Sequence, residues 1–499
     1  MVEIKELPDE PPAPPKDAVE KRKPQPTVVQ TTGEKIKVFR RPYAHHLFNN
    51  KADEFCSECL KEPELQGKLF QCTGCNFVKY CSKECQKMGW RLHKMECKRL
   101  QKSFPNLPLS DVLFLSKVLD RKELIEKNGD KYGYEMARPL SSLIGHENDV
   151  RKDKERMEKF KKIFQKIQTF RDEALNGDIF FDIYCKSMVN SLTVQSMKGI
   201  EVGILLDLGV SQYNHSCRPN CSIMFDGYYV FLRPLTSDIN TEDPKTATIS
   251  YTDVGRSRYQ RRRELQEKWF FECHCERCED PEDDILTALR CKNILCDGAV
   301  LISEDMEPKA VKCKKCNTVA DIEYVIRGQQ TMLELPVRYS TEDKVDELKG
   351  HLERARPILH EKNVYLNRLE TAIVQLSGKL GDNIASLYSK VQQTFSACFP
   401  ATEKNKVNEL VEKCAELIRK GQRKEAVPFA FDAMCILEAQ AGLAHPNYLR
   451  VLALWTFLDK QPEKTNKELL ELTQLEDGGD IKPIDITQFL NDTPVEASK

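Results

Sequence analysis

The sequence predicts an α+β protein of several domains, and three observations predict it. A turn-punctuated middle carries short β-like runs, the second half places apolar residues at helical steps, and three groups of cysteines stand at metal-ligand spacing. At 499 residues the chain exceeds the ~250–300 residues that one hydrophobic core absorbs. Hydrophobic residues at 40% and charged residues at 31% allow a well-formed core under a heavily solvated surface. The 76 Lys and Arg against 77 Asp and Glu leave a net charge of -1, which excludes a polycation and confines any nucleic-acid affinity to a local patch. No stretch nears the ~18 apolar residues of a membrane span. Met1 to Gln30 lacks the apolar h-region of a secretory signal, so a soluble protein that stays inside the cell is expected. In that reducing setting the clustering of the twenty cysteines at short spacings points to metal ligands rather than disulfides.

Taken in order, residues 1–30 hold seven prolines and no glycine amid mixed charge, a composition that cannot offset its ordering entropy and predicts a disordered tail. Residues 31–50 turn β-like, as in Lys35 to Phe39, and residues 51–100 form a dense Cys/His module. Residues 101–190 read as helical: Met157, Phe160, Ile163, Phe164 and Ile167 recur at three- and four-residue steps. Residues 191–255 supply the runs Val202 to Leu206, Cys221 to Phe225, Tyr228 to Leu232 and Thr246 to Tyr251, and are the expected catalytic core. Residues 256–290 and 291–335 contain the second and third cysteine groups. Residues 341–470 are helical; Val407, Leu410, Val411, Cys414, Leu417 and Ile418 share a face that Gly421 ends. Two further helices, Glu425 to Gln440 and one after Pro446, make a tetratricopeptide-like stack without a clear 34-residue consensus. Residues 474–499 form an acidic, turn-rich tail.

The first cysteine block reads Cys56-x2-Cys59, Cys72-x2-Cys75, Cys81-x3-Cys85 and His93-x3-Cys97. Eight thiolate and imidazole ligands suit two closed tetrahedral Zn²⁺ sites with interleaved pairing, and in so small a module the metal supplies much of the folding free energy. The second cluster, Cys273-x-Cys275-x2-Cys278, lacks a fourth ligand; Cys217 is the leading candidate, with Cys221 and His274 as competitors. The third, Cys291-x4-Cys296 with Cys313-x2-Cys316, has the spacing of a zinc ribbon. Together they predict about four zinc ions. Cys185, Cys221, Cys398, Cys414 and Cys435 remain as ordinary buried or helical residues.

With Tyr80 before Cys81 and Trp90 before His93, the first block resembles the MYND zinc finger, which implies binding of proline-containing peptides. From Lys51 to Lys102 eleven Lys/Arg stand against seven Asp/Glu, a foothold for weak nucleic-acid contact and equally an ordinary basic face. The finger is followed by Asn214-His215-Ser216-Cys217-x-Pro219-Asn220, then Ile249-Ser250-Tyr251, then Phe271-Glu272-Cys273-x-Cys275-x2-Cys278. This order resembles the SET and MYND domain (SMYD) family of protein lysine methyltransferases over roughly residues 31 to 290. The resemblance implies a β-rich SET domain split by the finger, a cysteine-rich post-SET segment and a helical C-terminal domain. It implies methyl transfer from S-adenosylmethionine to a lysine of a protein, histones included, in the nucleus and cytoplasm. By the same resemblance Asn190, Asn214, His215, Tyr251 and Phe271 contact the cofactor, Tyr251 borders the transfer site, Leu192 and Trp269 line the lysine channel, and Cys217 completes the second zinc site. In isolation each is equally an ordinary cap, strand or core residue, and their shared order carries the assignment.

Three departures from the family pattern stand out. The family's glycine-rich cofactor segment is replaced ahead of Thr31 by a glycine-free stretch, Gly33 being the first glycine of the chain. Trp269 stands where the family has a second tyrosine, and an indole can only donate. Asn240 to Lys245 replaces a glycine-containing turn. These departures motivate an alternative reading, a scaffold of little or no activity that recruits chromatin or transcription partners.

Overall fold

A computed structural model describes residues 36–63, 67–129, 138–196, 200–235, 238–336, 339, 344–377, 404–441, 445–460 and 464–475. The tail at 1–30, the glycine-free stretch ahead of Thr31, Cys398 and residues 476–499 lie outside the described residues. The described part is α+β, with two three-stranded sheets, three two-stranded ones, a cysteine finger and a helical C-terminal region.

The strands of the middle region are β1 (Lys37–Phe39), β2 (Ala44–Leu47), β3 (Ser191–Gln195), β4 (Glu201–Leu206), β5 (Cys221–Asp226) and β6 (Tyr229–Pro234). They make two antiparallel three-stranded sheets of order β1-β6-β5 and β2-β4-β3, so each sheet joins a strand from before the finger to strands from well after it. Alternation drives the pairing: along β6, Val230, Leu232 and Pro234 turn inward while their neighbours are half-buried. Phe39, Leu47, Val194, Leu205 and Val230 meet in one buried cluster between the sheets. Each fully buried side chain of this size contributes about 1.5–3 kcal/mol. Two glycines permit close approaches. A Cβ on Gly203 would lie 2.5 Å from the His46 carbonyl, and Gly227, at φ +62°, turns the β5–β6 hairpin against the finger, where Tyr228 N–H donates to the Cys59 carbonyl at 3.2 Å.

The sequence predicts a strand over Thr246 to Tyr251, and here the structure differs. Among the described residues this segment joins neither sheet; Ile249 makes a single parallel bridge with His215. The Asn220 side chain stands in for a partner strand, accepting from Thr248 N–H at 2.7 Å and donating to the Thr246 carbonyl at 2.8 Å. Its backbone groups are therefore satisfied by a loop, which overrides its β propensity. The sequence marks residues 31–50 as β-like, which covers β2, and names no run at β3.

Helices enclose this region. α1 (Lys83–Ser103) is capped by Ser82, whose hydroxyl accepts from Cys85 N–H. α2 (Ser110–Asn128), α3 (Lys154–Arg171) and α4 (Gly177–Asn190) share a core in which Phe160, Ile163 and Ile167 meet Val112, Phe114 and Phe180, as the helical spacing predicts. α5 (Arg258–Trp269) opens with a capping box of Ser257 and Gln260. Two short hairpins, Leu289–Arg290 with Ala299–Val300 and Val311–Lys312 with Val319–Ala320, carry the third cysteine group. The C-terminal helices include α6 (Lys404–Arg419), α7 (Arg423–Ala441), α8 (Pro446–Lys460) and α9 (Asn466–Leu472). Gly421, at φ +75°, ends α6, with Gln422 N–H reaching back to the Leu417 carbonyl at 2.9 Å. Among the described residues no helix is long and apolar enough to cross a membrane.

Candidate active site

Four clusters each bring four donor atoms within 4.8 Å of one another: Cys56, Cys59, Cys81 and Cys85; Cys72, Cys75, His93 and Cys97; Cys217, Cys273, Cys275 and Cys278; Cys291, Cys296, Cys313 and Cys316. Thiolates held at ~2.3 Å from one tetrahedral zinc stand about 3.8 Å apart. The measured separations fit that figure, at 3.7 Å for Cys59–Cys81, 3.8 Å for Cys72–Cys97, 3.6 Å for Cys217–Cys278 and 3.9 Å for Cys296–Cys313. Size and donor chemistry therefore both suit Zn²⁺. The finger pairs are interleaved, and His93 turns Nε2 to its cluster while Nδ1 faces Glu96 at 3.2 Å, the outer carboxylate that fixes an imidazole ligand. The competitors for the fourth place beside Cys273 are elsewhere: Cys221 is buried in β5, and the His274 side chain is 64% exposed and pairs with Glu279.

The Cys217 cluster packs with Leu265, and Tyr251, Trp269 and Phe271 lie against it. The loop before it meets the Thr246 to Tyr251 segment through Ile249 N–H to the Asn214 carbonyl at 3.0 Å and Ser216 N–H to the Ile249 carbonyl at 2.9 Å. His215 locks the joint. Its Nδ1 accepts from Tyr251 N–H at 3.0 Å, which places the proton on Nε2, 3.1 Å from the Cys217 sulfur. Burial lowers its pKa to about 4, consistent with this neutral form. Tyr251 donates its hydroxyl to the Tyr213 carbonyl at 2.6 Å, and burial pushes that hydroxyl up to about 12. The rings of Trp269 and Phe271 stand 5.2 and 6.5 Å from the Tyr251 ring.

A comparison with protein families matches residues 56–97 to the MYND finger. Among curated proteins, the histone-lysine N-methyltransferase SMYD3 of Homo sapiens is 31% identical over 255 residues, 49% of this chain and 57% of that protein. The SET domain and MYND-type zinc finger protein 6 of Schizosaccharomyces pombe is 31% identical over 225 residues, 45% of this chain and 43% of that protein. The histone-lysine N-methyltransferase ASHR1 of Arabidopsis thaliana is 24% identical over 442 residues, 82% of this chain and 87% of that protein. The chain is thus similar to SMYD proteins and carries a MYND finger at residues 56–97. At 31% identity it spans about half the length of the curated relatives it matches.

The remaining residues singled out in the sequence lie at the end of α4, in β3 and in the loop before Cys217. Asn190, last in α4, donates both amide hydrogens to the Ile144 and Lys186 carbonyls, at 2.8 and 2.9 Å, which leaves its oxygen to accept. Its neighbour Val189 accepts from the Trp269 indole at 3.0 Å, joining the ends of α4 and α5. Leu192, at the start of β3, packs with the sheet core, and Asn214 points its side chain to solvent. Sequence reasoning missed what supports the wall. Arg261 and Arg277 are fully buried behind Cys217; both bond Asp283, at 2.7 and 2.8 Å, and Arg277 also reaches the Cys217 carbonyl at 3.1 Å. Buried charges endure only when paired in this way. A sequence signal existed in the acidic run after Cys278, but only the fold shows which acid serves.

Proposed function

We propose that this protein transfers a methyl group from S-adenosylmethionine to a lysine side chain of a protein, with histones the substrate class suggested by its relatives' names. The observation that supports this reading is the joint of Asn214 to Ser216 with Ile249 to Tyr251, braced by Cys217 and its three partner cysteines. S-adenosylmethionine, when bound, supplies an electrophilic methyl on a sulfonium. The residues present fit it: the Asn190 oxygen suits the ammonium of the methionyl end, the solvent-facing Asn214 amide can pair with a purine edge, and Phe271 offers an apolar face for adenine. The chain's own task is to hold an uncharged amine in line at ~3–3.5 Å. A lysine amine titrates near ~10.4, and a slot walled by Leu192, Trp269 and Tyr251 disfavours the ammonium by excluding water. Tyr251 has committed its hydrogen to Tyr213, so its oxygen lone pairs remain to accept from the amine and orient it.

Calorimetric titration with S-adenosylmethionine tests the reading, followed by transfer of a labelled methyl to histone peptides. Binding is expected, with Tyr251→Phe lowering transfer about a hundredfold while the domain stays folded. An absence of heat at high protein concentration would sink it. The second reading, a scaffold, is favoured by one observation: the only hydrogen-bonding group of Trp269 is tied to Val189, so the channel lacks the polar group a tyrosine would supply. Under either reading the exposed Phe70 and Trp90 of the finger are suited to proline-containing partner peptides, and its excess of basic residues to weak contact with nucleic acid. Residence in nucleus and cytoplasm accords with such partners.

A further inference from the structure

We propose that Arg368 is a positioning residue for Tyr251, acting through Asp253 on the loop that follows the tyrosine. The proposal rests on the methyltransferase reading in taking Tyr251 to border the transfer site. Its physical basis is the uneven way in which Tyr251 is held. On one side its N–H donates to His215 and its hydroxyl to the Tyr213 carbonyl. On the other side the chain runs into residues 252–257, which form neither strand nor helix. A segment without ladder bonds keeps its place only through side-chain ties.

Those ties come from two directions. From α5 and the segment after it, Glu264 accepts from the Thr252 hydroxyl and from Arg256 at 2.6 Å, and Arg277 donates to the Val254 carbonyl at 2.7 Å. From the other direction comes the helix Val364–Ser377, whose Leu366 and Leu369 are buried in one core with Cys291 and Cys313 of the third cluster. Two of its residues, one turn apart, bracket the loop. Arg368 donates to the Asp253 carboxylate at 2.8 Å and lies 3.5 Å from the Gln260 side-chain oxygen, while Tyr365 donates at 2.7 Å to Glu304, which also accepts from Ser257. Ser257 and Gln260 are the capping box that starts α5, and α5 ends in Trp269, whose ring stands 5.2 Å from that of Tyr251. Asp253 passes the restraint on. Its other carboxylate oxygen accepts from Gly255 N–H at 2.8 Å and its carbonyl from Arg256 N–H at 3.2 Å, so the group that Arg368 holds is the one that shapes the turn. The Asp253 side chain is 56% exposed, and a pair so open to water adds little to global stability; what it fixes is local geometry. A forked guanidinium suits the place because it reaches two acceptors at once.

The test uses the full chain and two readouts, transfer of a labelled methyl to histone peptides and hydrogen exchange of the amides of residues 252–257. Arg368→Gln is expected to lower kcat about tenfold, to leave zinc content and S-adenosylmethionine binding within about twofold of native, and to speed exchange at Gly255 and Arg256 about tenfold. Arg368→Lys keeps the charge and is expected to recover about half of the lost rate. Asp253→Asn keeps the turn acceptor and should match Arg368→Gln. The double variant should be no worse than either single one, because both act through one bond. Unchanged exchange in Arg368→Gln overturns the proposal, as do losses that multiply in the double variant. A joint fall in melting point, zinc content and cofactor binding overturns it too, since the pair would then be a general brace. The two readouts also separate this proposal from the reading beneath it. Faster exchange in both single variants of a chain that transfers no methyl removes the methyltransferase and keeps the tie of Arg368 to the loop, whereas transfer with kcat and exchange unchanged in Arg368→Gln does the reverse.

Discussion

The Cys217 cluster and the Cys291 cluster hold the same four-cysteine donor set in opposite surroundings. Around the first, Cys217, Cys273 and Cys278 are all but sealed, and two fully buried arginines share Asp283 behind them. Around the second, Cys316 is exposed, and the loop between its first two ligands ends in Ile294 and Leu295, which are 95% and 92% exposed. The lysines there pair at the surface, as Lys292 does with Asp321 and Lys314 with Glu282, and such pairs contribute only about 0–1 kcal/mol each. Ligand identity is thus the same in both places, and what the metal supports is not. One cluster joins two distant chain segments; the other holds two short hairpins, whose Leu289, Val300 and Ala320 pack into a core with Val325, Leu359 and Leu366.

Breaking one ligand in each cluster exposes that difference with the largest expected effect. Cys273→Ser should lose one zinc of about four and, because the metal's binding free energy is folding free energy, destabilise the region by several kcal/mol. Binding of S-adenosylmethionine should go with it. Cys313→Ser should also lose one zinc yet leave cofactor binding within about twofold of native. Elemental analysis combined with calorimetry checks both, and equal losses of binding in the two variants would erase the contrast.

The arginines sharpen it next. Arg261→Met leaves Asp283 with Arg277 alone in a dry site and should cost about 3 kcal/mol. Arg263→Met, two residues along α5, removes surface contacts with Glu267 and Tyr259 and should fall within about 0.5 kcal/mol. Urea midpoints give both values. If the two variants unfolded together, the buried ion network would not be what braces the slot.

The same pair of residues shows how far the sequence could be read. Arg261 to Arg263 stands in the sequence as a short basic run on a helix, and nothing local says that the first is buried and the third exposed; Asp283, 22 residues on, decides it. The finger and the third cluster were legible because their ligand pairs lie two to four residues apart. Cys217 was not fixed by spacing, since 55 residues separate it from Cys273. Its place came from the resemblance, and the structure sets it among the other three sulfurs. Thr246 to Tyr251 misled because β propensity reports a residue's fitness for extended backbone, not whether a neighbouring strand exists. Within the β-like stretch 31–50 the middle of β2, His45 and His46, looks polar, although His46 is buried against β4.

Glu304 supplies the smallest effect, and it limits how independent the Cys291 cluster is. This carboxylate, from the chain between the two hairpins, accepts from the Tyr365 hydroxyl at 2.7 Å and from the hydroxyl of Ser257, the residue that caps α5. Burial raises its pKa; the bonds from Ser257 and Tyr365 oppose that shift, and the nearby Asp305 adds to it. Asp284, raised to about 6 by its own burial, feels the same negative neighbours. A carboxyl whose folded pKa exceeds its unfolded value of ~4.3 binds its proton more tightly in the native state. Its contribution is therefore full below ~4.3 and is lost as pH rises through the raised folded value, after which it stays flat. Glu304→Gln keeps an oxygen for both hydroxyls and removes the ionisation. The variant should match the native chain near pH 4 and exceed it near pH 8, the excess growing as pH rises above ~4.3 toward the raised folded value. Effects of pH on the zinc sites are common to both chains and cancel in the difference of their urea midpoints. A gap that stays constant, or reverses, between the two pH values would mean that Glu304 is ionised and well stabilised in place. The link between the hairpins and α5 would then be an ordinary hydrogen bond rather than a joint that weakens as it charges.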